Sequence, residues 1–170
     1  GLYRNVHLIT THKTHIPIWG TYVTTPEVTD GFARVEVKTK IEQGEGFTDE
    51  NFIKLKTSIV DPQGKVVAEA EDELTRFDGN EMRQTLIVEN PKRWDIKQPN
   101  LYKVQSVLSR MERKVKTDGS KITTEEVTFP VDKLTTSFGI RTIGVRADEG
   151  FFLNGRLIKF QGACMHHDLG

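Results

Sequence analysis

This sequence predicts an all-β fold, an immunoglobulin-like antiparallel β-sandwich of about seven strands. Three observations carry the expectation. Apolar and polar residues alternate in short runs, turn-forming residues separate those runs at regular spacing, and no window of ten or more residues keeps a helical period. At 170 residues the chain has room for one such domain with flanking pieces.

The strands follow in order. Residues 32–41 alternate, with Ala33, Val35, Val37 and Ile41 on one face and Phe32 outside that register. Residues 53–60 form the next run. It ends at Asp61-Pro62-Gln63-Gly64, where proline presets φ and glycine gives a permissive corner, and residues 65–70 return as the hairpin partner. Residues 81–88 make another strand, closed by Asn90-Pro91, and residues 101–108 place Tyr102 and Val104 on one face. Runs at 123–129 and 136–145 complete the set. Residues 43–51, glycine-rich and acidic, and residues 111–121, of mixed charge, read as loops.

The last stretch changes character. Residues 151–158 predict a tight hairpin, since Asn154-Gly155 accepts the positive φ values of a two-residue type I′ turn. Residues 158–165 are then apolar on both faces, as in a strand buried from two sides, so a second architecture begins there.

Composition excludes several classes. Lys plus Arg and Asp plus Glu both count 24, so the formal charge is zero and no electrostatic footprint for nucleic acid or an anionic membrane is present. No apolar run approaches the ~20 residues of a bilayer span. A single cysteine, Cys164, cannot staple the chain, and a chain of this length buries enough surface to fold without metal or disulfide.

Four blocks resemble glycoside hydrolase family 2, of the β-galactosidase type, and occur in that family's order. They are Gly1-Leu2-Tyr3-Arg4-Asn5-Val6; Pro91-Lys92-Arg93-Trp94 with Pro99-Asn100-Leu101-Tyr102; Ser137-Phe138-Gly139-Ile140-Arg141; and Phe152-Leu153-Asn154-Gly155 continuing to Gly162 and His166. The resemblance implies that residues 1–12 close a jelly-roll sugar-binding domain, 13–147 are the sandwich, and 148–170 are the hairpin and first strand of a truncated catalytic TIM barrel. It implies a larger enzyme that hydrolyses terminal β-linked sugars with retention, using two glutamates that lie beyond this segment. No catalytic residue and no cofactor is expected here, while a divalent cation in the larger enzyme is left open. The implied partners are the jelly-roll and barrel domains and a carbohydrate substrate; galactoside, mannoside and glucuronide are all compatible.

His166, His167 and Asp168 form the one close cluster of catalytic residue types. By resemblance His166 stands at the C-terminal end of the first barrel strand, where it would bind sugar. Adjacent histidines point to opposite sides of an extended strand, so they chelate a metal poorly even with His7, His12 or His15 nearby. Trp94, Tyr102, Gly139, Arg141, Asn154 and Gly155 are expected to be structural, with Trp94 mostly buried at a corner of the sandwich; Trp94 and Trp19 as sugar-stacking platforms is the alternative. Cys164 reads as a small hydrophobe in an apolar strand. The rival to an enzyme segment is a stand-alone immunoglobulin-like carbohydrate-binding or adhesion module. The tail, residues 151–166, is expected to fold back on the sandwich or to pair with another copy.

Overall fold

A computed structural model describes residues 4–44, 51–74, 79–118 and 121–164. Among them all regular structure is β: β1 (Thr21–Val28), β2 (Phe32–Lys40), β3 (Asn51–Val60), β4 (Val66–Leu74), β5 (Glu81–Glu89), β6 (Tyr102–Asp118), β7 (Lys121–Phe138), β8 (Ile143–Arg146), β9 (Gly150–Leu153) and β10 (Arg156–Ile158). The first seven make two antiparallel sheets, β1-β2-β5 and β4-β3-β6-β7, the arrangement of an immunoglobulin-type sandwich. A small third sheet, β10-β9-β8, adjoins them.

Alternation produces the core directly. Along β2, Ala33, Val35, Val37 and Thr39 are buried, and Ile41 continues that face just past the strand. The intervening residues Arg34, Glu36 and Lys38 stay at the surface. Fully burying one such valine or isoleucine stabilises by about 1.5–3 kcal/mol. The inward residues form two apolar clusters, one around Val35, Ile59, Val88 and Val104, the other around Ile41, Ile53, Leu55 and Leu108. A charge at Val35 would enter the first with no partner.

The predicted turns hold. Asp61 Oδ1 accepts the N–H groups of Gln63 at 2.9 Å and Lys65 at 2.8 Å, and Gly64 adopts φ +86°. Tyr102, at the start of β6, is 2% exposed, and its hydroxyl accepts the Lys92 N–H at 2.9 Å. That bond anchors the chain crossing between the sheets, the corner device of immunoglobulin-type domains.

Four expectations change. Sequence reading passes over β1, whose hydroxyl-rich run contains Pro26; it is an edge strand with an irregular register between Thr24 and Glu27, where a missing N–H is tolerated. Residues 123–129 and 136–145 are not two strands of the sandwich, because β7 runs unbroken to Phe138 and the later part belongs to β8. Pro130 is accommodated since β7 is also an edge, with a register shift opposite Leu108 and Ser109. Residues 111–118 are strand rather than loop: β6 and β7 pair from Tyr102↔Phe138 to Asp118↔Lys121, far beyond the last β3 partner at Glu112. The charges that argued for a loop belong to a ribbon that continues past the end of β3. Finally, β10 ends at Ile158, and residues 159–164 run exposed without strand pairing. A barrel strand needs neighbours on both edges, and none of the described residues supplies them.

Candidate functional site

The six residues expected to be structural converge on the corner where β7 leaves the sandwich. Tyr102 fastens the crossing at Lys92, and two residues later Trp94 donates its N–H to the Ile140 carbonyl at 2.8 Å. Gly139 lies so close that a Cβ there would stand 2.7 Å from the Trp94 Cβ, so only glycine lets these segments meet. The Arg141 guanidinium sits 5.4 Å from the centre of the Trp94 ring, within cation–π range. Trp94 is mostly buried, as expected, with a minor part of its surface left open.

The hairpin is clamped to this corner through its turn. Asn154 (φ +51°) and Gly155 (φ +77°) take the two positive-φ positions, with Leu153 and Arg156 paired across them. Asn154 Nδ2 donates to the Trp94 carbonyl at 2.9 Å, its Oδ1 accepts the Thr142 N–H at 3.1 Å, and its own N–H donates to the Thr142 carbonyl at 2.9 Å. Leu153, 3% exposed, packs beneath the turn. Arg156 forms an ion pair with Asp95. The guanidinium holds the Asp95 carboxyl below the usual carboxylate range, helped by the Lys97 N–H. The expectation that the tail returns to the sandwich is thus met by residues 151–156, while Leu157 is 60% and Phe160 72% exposed and Phe160 touches the Phe151 ring.

Asp95, Thr142 and Arg156 escaped sequence reading. Asp95 left a faint signal, since Asp followed two residues later by a main-chain N–H donor begins turns, and it accepts from Lys97 at 3.2 Å. Its pairing with Arg156 spans 61 residues and leaves no local trace.

The chemistry here is limited. A cleft of about 660 Å³ between Lys92, Arg93, Asp95 and Arg156 has a single carboxylate in its lining, and that one is ion-paired. A neighbouring cleft of about 620 Å³, between Tyr22, Phe138 and Ile143, has none. Glycoside hydrolysis needs two carboxyl groups in different protonation states, so neither cleft has the groups for it. Among the described residues no group of three or more His, Cys, Asp and Glu side chains converges as a metal site. His15 lies 3.4 Å from Glu42, and His12 Nδ1 accepts the Thr14 N–H at 3.0 Å. Trp19 is 94% exposed at φ +63°, and Cys164 is exposed rather than buried in a strand. His166 lies outside the described residues.

The family model for "Glycosyl hydrolases family 2" matches residues 14–141, the sandwich and its exit at Gly139 and Arg141. The chain belongs to glycosyl hydrolase family 2. Among its family 2 relatives is the β-galactosidase BoGH2A of Bacteroides ovatus, 38% identical over 172 residues that cover all of this chain and 18% of that protein. A β-glucuronidase of Formosa agariphila is 32% identical, covering 95% of this chain and 16% of that protein. Among solved structures, a family 2 member from Bacteroides cellulosilyticus superposes with a TM-score of 0.73 at 34% identity, covering 93% of this chain and 20% of that one. The chain thus spans about a fifth or less of the length of these relatives.

Proposed function

We propose that this chain is the non-catalytic sandwich of a larger retaining β-glycosidase, and that it acts as a spacer fixing the orientation of the domains on either side. The observation that carries the proposal is the clamp at Asn154, which ties the hairpin leaving the sandwich to the Trp94 carbonyl and the Thr142 main chain. A linker meant to swing would leave that turn free. In this reading residues 1–12 end a jelly-roll domain, 13–147 are the spacer, and 148–170 lead into a catalytic barrel. The two glutamates would lie in that barrel, ~5–5.5 Å apart as retention requires, with His166 as a sugar ligand at the end of its first strand. The resemblance to BoGH2A favours a β-galactosidase, with a β-glucuronidase next.

The test uses two proteins. This chain alone is expected to release no nitrophenol from nitrophenyl β-galactoside or β-glucuronide, and the whole gene product to hydrolyse one of them. Turnover by the chain alone that survives repurification, or a whole product inactive on both, would sink the reading. Asn154→Ala in the whole product should lower kcat/KM while leaving the sandwich folded; unchanged kinetics would remove the spacer role and leave the family intact. Among the described residues, exposed Trp19 favours a stand-alone carbohydrate-binding module. Against that, calorimetry of this chain with galactose or lactose is expected to give no heat beyond dilution.

A further inference from the structure

Each of β2, β3, β5 and β6 carries one buried polar residue between the two apolar clusters. Inward-facing residues run Val37, Thr39, Ile41 along β2; Ile59, Thr57, Leu55 along β3; Leu86, Gln84, Met82 along β5; and Val104, Ser106, Leu108 along β6. In every strand the first of the three belongs to one apolar cluster and the last to the other. Thr39, Thr57, Gln84 and Ser106 therefore form a staggered layer between the clusters, Thr39 pairing with Met82 and Gln84 with Val37 in the β2–β5 ladder, and their exposures are 0, 0, 4 and 1%. Thr57 and Ser106 stand directly opposite each other in the β3–β6 ladder.

The hydroxyls of Thr39, Thr57 and Ser106 and the Oε1 of Gln84 have no hydrogen-bond partner in the protein. The Gln84 amide is nonetheless fixed, since Nε2 donates to the Leu55 carbonyl at 3.3 Å and to Asp72 Oδ2 at 2.8 Å. Oε1 is left as its free acceptor. Groups this deeply buried are nearly always satisfied, because each otherwise keeps an unrelieved desolvation cost. Four of them between the same two clusters have a common remedy.

We propose that this layer is an internal hydration site, in which ordered water bridges the three hydroxyls and Gln84 Oε1. A buried water needs two to four polar partners and a roomy polar site. The partners are present. Room follows from the short side chains of Thr39, Thr57 and Ser106, with Ala70 opposite Thr57, where the residues on either side are isoleucine, leucine, valine and methionine. Hydration would also explain why a chain able to run valine through these positions places hydroxyls there.

A high-resolution crystal structure of this chain should show water within roughly 2.7–3.2 Å of at least two of the four atoms, and oxygen-17 relaxation dispersion in solution should detect long-lived internal water. Thr57→Val keeps the shape and removes one water ligand, so its melting temperature should fall, by about 3 °C, as expected when a buried bonding partner is lost. If instead the hydroxyl is dry and unsatisfied, valine relieves it and the melting temperature rises. That rise, or a core with no ordered water, would overturn the proposal. Should the variant fail to fold, the two measurements on the unsubstituted chain still decide.

Discussion

At Gly139 the constraint is one of distance. A methyl group there meets the Trp94 Cβ at 2.7 Å and its Cγ at 2.8 Å, so Gly139→Ala should destabilise by about 1–3 kcal/mol through overpacking. Because the nearest atom is a Cβ, Trp94→Ala should relieve little of that cost; a double-mutant cycle by denaturant unfolding checks this, and a large favourable coupling would contradict the geometry. Asp95 gives a pH dependence. Its carboxyl is held below its ordinary value by Arg156, so the contribution is present above about pH 4 and lost as pH falls through the lowered folded value. Below that value the hairpin should loosen, seen as acid-dependent shifts of the Asn154 side-chain amide resonances, and Asp95→Asn should abolish the dependence.

At the level of elements, the β6–β7 ribbon behaves differently along its length. Between Lys103 and Glu112, β6 is bonded on both sides, by β3 and by β7; beyond Glu112 it pairs with β7 alone. Amides in the outer part of β6 should exchange with solvent roughly 100-fold faster than those of Val104 and Leu108, since a strand paired on one side only opens at lower cost. Equal protection by hydrogen exchange would mean that something else covers the ribbon. The same element marks the limit of sequence reading. Alternation betrays a strand when one face is buried over several residues, as along β2, and is faint where charged residues crowd the run, as at Arg110 and Glu112, or where an edge carries Pro26. The corner was legible in part: Asn154-Gly155 declares its turn locally, whereas the ion pair of Asp95 with Arg156 exists only after folding.

For the whole molecule, apolar residues remain uncovered around the small sheet. Val145 is 78%, Phe160 72% and Ile143 57% exposed. Contiguous apolar surface of this kind marks a place where another body docks, and the chain alone should self-associate with rising concentration in sedimentation experiments. Val145→Lys with Phe160→Lys should shift it toward monomer without changing its melting temperature by more than about 2 °C, the usual margin for surface changes. A monomer at all concentrations would show the patch to be inert.

The clamp at Asn154 also has a mechanical meaning. Its three hydrogen bonds and the Asp95–Arg156 pair tie residues 154–156 to two segments at once, Trp94–Asp95 and Thr142. A pull on the chain beyond Ile158 therefore loads them together instead of unzipping them in turn. Such a joint transmits tension stiffly up to a threshold and then releases at once, so a displacement of the chain beyond Ile158 would reach the β-ladders as through a rigid lever rather than a spring.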